Sequence, residues 1–181
     1  PLALVQPTTL SISAEGKVEQ DPDVADIQTG VMTQAATASE AMRQNAERVS
    51  RVVAALKAAG VASRDIQTSG LNLNAQYRYQ DNQPPQLVGY QAVNNVSVRV
   101  RDLPRMGRII DTLVAQGANQ INGPTFRLDK PEPALNVARA NAVKTARDRA
   151  QLYATAAGMR VKRIVSISES GAYAPPPYPV P

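Results

Sequence analysis

The sequence predicts an α+β fold: a largely antiparallel sheet with two long helices and one short helix, built from two related β-α-β(-β) halves. Three observations predict it. The elements run β-β-α-β-β-α-β-α-β, without the strict alternation of a parallel sheet. Several strands are joined by short turns. Ala58-Ala59-Gly60 stands before Ile66 at the spacing that Ala156-Ala157-Gly158 keeps before Ile164, and each set ends a long helical pattern preceded by a strand pattern. The halves cover about 9–101 and 102–171 of a single domain, with 172–181 as a Pro-rich tail or truncated loop. An all-parallel doubly wound sheet is the alternative.

Residues Pro1 to Thr8 read as an arm or a lead-in to a first strand. Leu10, Ile12 and Ala14 alternate with Ser11, Ser13 and Glu15, Gly16 marks a bulge, and Val18-Glu19-Gln20 continues the strand. Asp21-Pro22-Asp23 turns the chain. Val24–Ala35 then forms the second strand of a hairpin, with Ile27, Val31 and Met32 as apolar points. A helix follows from about Ser39 to Ala59, its core face marked by Met42, Val49, Val53 and Leu56. Thr37 with Glu40 fits a capping box, Ser39 is an alternative cap, and Glu47 with Arg51 stands at i,i+4 on the outer face. Gly60 occupies the left-handed position that ends such a helix.

Ile66 to Tyr77 reads as a strand, Asp81-Asn82-Gln83-Pro84-Pro85 as a loop, and Gln86–Arg101 as a returning strand. Asp102 is a cap with Pro104 in the first turn of a short helix carrying Met106, Ile109, Ile110, Leu113 and Val114. Gly117 ends it. Gln120–Leu128 reads as a strand that Gly123-Pro124 bends or places at an edge. Pro133 to Ala157 is the second long helix, with Ala138, Ala142, Ala146 and Ala150 in its stripe, and Val161–Ser168 is a final strand.

Hydrophobic residues make up 43% of the chain and aromatics 4%, with no Trp and one Phe, so the core is aliphatic and rich in Ala. Formal charge is +5 and the pI about 9.7, which permits contact with nucleic acid or an anionic membrane without requiring it. The absence of Cys excludes disulfides and thiol chemistry, and the absence of His removes the usual neutral-pH base and transition-metal ligand. No run is apolar for long enough to span a bilayer as a helix. The start at Pro1 without Met suggests a fragment or a chain from which a signal peptide was removed.

Four segments in order carry a family resemblance: Asp65-Ile66-Gln67-Thr68-Ser69, Gly89-Tyr90-Gln91-Ala92, Gly117-Ala118-Asn119-Gln120-Ile121-Asn122-Gly123 with Phe126, and Pro22-Asp23 followed by Ala25 and Gly30-Val31. With the Ala-rich last helix, they resemble the SIMPL-domain family and its YggE-like bacterial members over nearly the whole chain. The resemblance implies export to the periplasm or cell envelope, an association with stress tolerance, and self-assembly, one member forming a large ring. It carries over no catalytic residue, cofactor or metal. Family members usually continue past the Pro-rich segment, which implies a further strand beside Ile164–Ser168 beyond Pro181.

Asp21, Asp23 and Asp26 near a turn read as turn and cap chemistry rather than a calcium or magnesium site. Glu15 and Glu19 read as a strand edge rather than an acid/base pair. Arg139, Lys144, Arg147 and Arg149 with Arg160, Lys162 and Arg163 read as a solvated face, phosphate contact being the alternative. No phosphate loop or hydrolase elbow appears, and without His a Ser nucleophile would need a Lys base that no Ser-x-x-Lys supplies. Tyr77, Tyr79 and Tyr90 flank Pro84-Pro85, so the hairpin reads as a projecting oligomer contact, with a locally packed aromatic cluster as the alternative. The expected function is thus a non-enzymatic envelope protein working through self-assembly into a homo-oligomer and through protein contact. A basic module for nucleic acid or anionic lipid is the alternative, and a hydrolase using carboxylates alone stands third.

Overall fold

The computed structural model describes residues 8–171. Residues 22–129 form one compact unit, and 8–21 with 130–171 form another. The first unit contains β1 (Val24–Ala35), α1 (Ala38–Ala58), β2 (Ile66–Arg78), β3 (Gln86–Val100), α2 (Met106–Ala115) and β4 (Gln120–Arg127). The second contains α3 (Glu132–Ala156). The strands form a four-stranded sheet in the order β2-β3-β1-β4, with every neighbouring pair antiparallel. The α+β class, the two long helices and the short one are as the sequence predicts.

Alternation sorts the sheet into an apolar face and an amide-rich face. Ala25, Ile27, Thr29 and Val31 of β1 lie beside Val100, Val98, Val96 and Asn94 of β3 under the helices. The other face carries Gln28, Gln67, Asn72, Asn74, Gln91 and Asn95. Val52 and Leu56 of α1 and Ile109 and Leu113 of α2 close the core over the first face. Asn119 closes part of β1 where β4 has not yet begun. Its carboxamide donates to the Met32 carbonyl at 3.1 Å and accepts from the Met32 N–H at 3.1 Å, in place of a strand residue.

Helix ends follow the sequence closely. The Thr37 hydroxyl accepts the Glu40 N–H at 3.3 Å, which forms the first half of the capping box. The second half is missing, because the Glu40 carboxylate turns to Arg43 and Gln44. Gly60 sits at φ 93 while Val61 N–H reaches the Leu56 carbonyl at 3.0 Å, closing the helix as Gly at this position allows. Gly60 N–H also reaches the Lys57 carbonyl at 3.0 Å, and helices α2 and α3 end on the same pair of bonds at Gly117 and Gly158.

Several expectations are corrected. The buried face of α1 is Ala41, Asn45, Val52 and Leu56, whereas Met42 is exposed. The helix is turned about one position from the expected face, because a polar residue, Asn45, holds its centre. Its Nδ2 donates to the Val31 carbonyl at 2.7 Å and to the Ala92 carbonyl at 3.1 Å, tying α1 to β1 and β3. Glu47 pairs with Arg43 rather than Arg51. Asp102 caps no helix through its side chain. Leu103–Arg105 forms a 3-10 turn before α2, and Asp102 pairs with Arg105 at 3.0 Å.

The strands expected at Leu10–Gln20 and Val161–Ser168 join no ladder among the described residues, so the hairpin expected before α1 is absent there. Period-two alternation gives a segment two faces but not a partner. The first stretch lies along α3 instead. Asn141 Nδ2 donates to the Lys17 carbonyl at 3.4 Å and Arg149 to the Ser13 carbonyl at 3.1 Å. A Cβ at Gly16 would collide with the carbonyl oxygen of Ala138. The lead-in over 1–7 and the Pro-rich tail 172–181 lie outside the described residues.

Candidate functional site

The hairpin of β2 and β3 outruns the rest of the sheet. Its last rung shared with β1 joins Tyr90 to Ala35, whereas β2 and β3 stay paired through Gln76–Gly89, Tyr77–Leu87 and Arg78–Gln86. At ~3.3 Å per residue, these roughly four residues carry the ribbon about 13 Å past β1. A turn folds the tip, with Gln83 N–H on the Gln80 carbonyl at 3.2 Å and Asn82 at φ 60, a left-handed position that Asn tolerates. Pro84 and Pro85 follow, both exposed.

The arm therefore brings together Tyr77, Tyr79, Pro84 and Pro85. Tyr79 is 77% exposed and Tyr77 49%. Tyr90 stands apart at the root, half-buried between Ala35 and Ala75. Leu87 and Val88 on the arm, and Leu71 and Leu73 on β2 before it, are also exposed, and sequence reading does not single them out as contacts. Leu71, Leu73, Ala75 and Tyr77 alternate like core residues, but coverage is decided elsewhere. A helix about 10 Å across covers roughly two strands spaced ~4.8 Å apart. Helix α1 lies on β1 and β3, which leaves β2 bare on the same face.

At the opposite end of the sheet an ion-pair chain joins β1, β3 and β4. Asp65 accepts from Arg101 Nε at 2.9 Å, and Arg101 also reaches Asp129 at 2.7 Å. Arg99 bridges Asp129 and Asp26 at 3.2 Å each, and Arg127 reaches Asp26 at 2.6 Å. Partial burial raises the Asp26 pKa, but the hydrogen bonds from Arg127 and Arg99 and their charges outweigh it and hold the carboxyl below its usual range. The hydrogen bond from Arg101 holds Asp129 low as well. Asp23 accepts the Asp129 N–H at 2.7 Å. Asp23 and Asp26 thus act in a turn contact and an ion-pair chain. Among the described residues no cluster of three or more acidic side chains is placed to hold a metal ion.

Glu15 pairs with Lys17 at 3.7 Å, fully in solvent. On α3, Arg139 binds Glu132 and Glu169 at 2.9 Å each, and Lys144 pairs with Asp148 at 3.6 Å. Arg139, Lys144 and Asp148 border an open hollow of ≈ 600 Å³ together with Ala140, Val143 and Arg147. Acidic partners offset much of the positive charge there. No helix among the described residues is long and apolar enough to cross a membrane.

Comparison with known proteins adds to this geometry. A family model described as SIMPL, protein of unknown function (DUF541), matches residues 10–181. The 26 kDa periplasmic immunogenic protein of Brucella melitensis biotype 1 is 38% identical over 180 residues, spanning 97% of this chain and 71% of the relative. The uncharacterized protein YggE of Edwardsiella ictaluri is 29% identical over 155 residues, 86% of this chain and 65% of its own. YggE of Escherichia coli K12 is 30% identical over 139 residues, 77% of this chain and 56% of its own.

Proposed function

Since this chain belongs to the SIMPL family (DUF541), a family of unknown function, we propose that it is a non-enzymatic envelope protein that works by self-assembly and protein contact. One observation carries the reading. The β2–β3 arm projects beyond β1 and exposes Tyr77, Tyr79, Leu87 and Val88, and Leu71 and Leu73 are exposed on β2 behind it. Several large apolar side chains exposed near one another on a folded domain support an interaction site. Aromatic side chains with a polar end are favoured at such sites because they bring much contact area with little loss of conformational freedom. The chain lacks His and Cys, and its part-buried carboxylates are taken up by arginines, which supports a binding role over a catalytic one. The periplasmic placement rests on the name of the Brucella relatives, periplasmic immunogenic proteins. A part in stress tolerance, which the family resemblance implies, belongs to the same proposal.

The test is the mass of the whole chain by light scattering after size exclusion, with and without Gln80–Gln86. The intact protein is expected as a homo-oligomer, and the shortened one as a smaller species with an unchanged melting temperature. A strictly monomeric intact protein at high concentration overturns the reading.

A further inference from the structure

Strand β2 forms one border of the four-stranded sheet, and its outer row of N–H and C=O groups has no ladder partner among the described residues. Sheets usually guard such a row with a charge, a Pro or a bulge, because an open row is a template for another strand. At the other border of this sheet, β4 contains Pro124 and its register breaks opposite Asp26 to Gln28. Between positions 66 and 77, β2 carries neither a Pro nor a charge. Its register against β3 shifts at Ser69/Leu71 and again at Gln76/Tyr77, so residues 71–76 run without irregularity between the two shifts.

This stretch is complementary to a second copy of itself. Leu71, Leu73 and Ala75 lie on the side of the sheet that α1 covers over β1 and β3, and Asn72, Asn74 and Gln76 lie on the open side. When two identical strands pair antiparallel about a twofold axis through one residue, each side chain meets a side chain from the same face. With the axis at Leu73, Leu71 stands beside Ala75 of the second copy, Leu73 beside Leu73, and Asn72 beside Asn74. The apolar row is thereby continued by an apolar row, and the carboxamide row by a carboxamide row. A twofold axis also brings identical charges together, which is unfavourable directly across a strand pair. The uncharged stretch of β2 meets no such repulsion.

We propose that β2 of one copy pairs antiparallel with β2 of a second copy about an axis at Leu73, which joins the two sheets into one. Main-chain hydrogen bonds along the regular stretch supply the attachment, and the pairs that meet across the axis set the register. The arm of each copy then runs alongside residues 66–69 of the other, which brings Tyr77 and Tyr79 against the second copy. This rests on the self-assembly reading and names the joint through which assembly occurs.

The chain has no Cys, so one introduced thiol carries one spin label per copy. About an axis at Leu73, equal positions are separated by twice their distance along the strand. At ~3.3 Å per residue, labels on Asn74→Cys should lie within about 15 Å of each other, linkers included, and labels on Gln67→Cys about 40 Å apart. In a second measurement, Asn72→Lys/Asn74→Lys and Asn72→Glu/Asn74→Glu are compared. Each alone sets like charges across the axis and should raise the concentration needed for half-assembly about tenfold or more. An equimolar mixture of the two should recover the assembly of the unmodified chain. Both positions face solvent, so the melting temperature of the dissociated chain should not change. An assembled protein whose Asn74→Cys labels stay beyond about 25 Å, or whose Lys variant assembles normally, overturns β2 pairing and leaves the self-assembly reading standing. Weakening of both charged variants without recovery on mixing sets β2 against a different surface and also overturns it. So does protection of every amide of residues 71–76 from hydrogen exchange in the dissociated chain, since the border is then covered within one molecule. A protein that stays monomeric at all concentrations overturns both readings.

Discussion

Replacing Tyr79 by Ala tests the arm most directly. Tyr79 is 77% exposed, so the folded chain gains almost nothing from it. A large aromatic buries roughly 150–250 Å² when fully covered. Taking about 200 Å², the exposed share of Tyr79 is ~150 Å². At ~25 cal/mol per Å², covering it in an interface contributes at most about 4 kcal/mol. Fixing one flexible side chain costs about 0.5–1.5 kcal/mol. The remainder, about 2.5–3 kcal/mol, is in the range of an interface hot spot and corresponds to roughly a hundredfold weaker association. Tyr77 is half covered already, and the same reasoning gives about 1.5 kcal/mol and roughly tenfold for Tyr77→Ala. Sedimentation velocity over a concentration series measures the loss, and a thermal melt monitors the fold. Unchanged association for Tyr79→Ala, with an unchanged melt, refutes the placement of the contact at the tip. A fall of more than about 5 °C in the melt also refutes the reasoning, because a solvent-facing side chain should cost under ~0.5 kcal/mol.

Asn45→Ala removes two hydrogen bonds from a fully buried side chain and leaves a small void. At ~1 kcal/mol per bond plus the packing loss, about 2–4 kcal/mol should disappear, seen as a fall of roughly 6–12 °C by circular dichroism. A loss below ~0.5 kcal/mol would show that α1 does not depend on that bridge. For pH, Asp26 and Asp129 are held low by arginines, and Glu40 is lowered to about 2 by its hydrogen bond from Arg43. Groups depressed in the folded state contribute stability that is full above their unfolded pKa near ~4 and is lost as pH falls through the folded values. The melting temperature should therefore hold from pH 7 to about 4 and drop toward pH 2. In Asp26→Asn it should be lower at pH 7 by the equivalent of ~1 kcal/mol, the pair being partly solvent-screened, and the gap should close in acid; a gap that persists at pH 2 would assign the loss to packing.

Much of this fold is legible in the sequence because local chemistry fixes it. Gly60, Gly117 and Gly158 end the three helices where the periodic patterns stop, and Thr37 starts α1. The alternation of Val96, Val98 and Val100 against Ser97 and Arg99 gives β3 its two faces. The helix face is less legible, because Asn45 counts as polar in a periodicity and only the carbonyls of Val31 and Ala92 make its burial favourable. The ion-pair chain is hidden for a related reason. Asp65, Arg101 and Asp129 are far apart in sequence, and only the sheet register brings them together. Tyr77, Tyr79, Pro84 and Pro85 are recognisable as a group since one loop holds them, while Tyr90 separates because β1 pairs with it.

The Leu71–Tyr77 row shows what alternation leaves open. A period of two states that one face is apolar, and the width of the covering helix decides whether that face is buried. A strand needed only to border the sheet could carry Thr or Lys at these positions and keep its pairing with β3. Leu71 and Leu73 instead leave two large aliphatic side chains 45% and 38% exposed on an edge without gatekeepers. Such a row on a sheet border is a template for pairing with another chain.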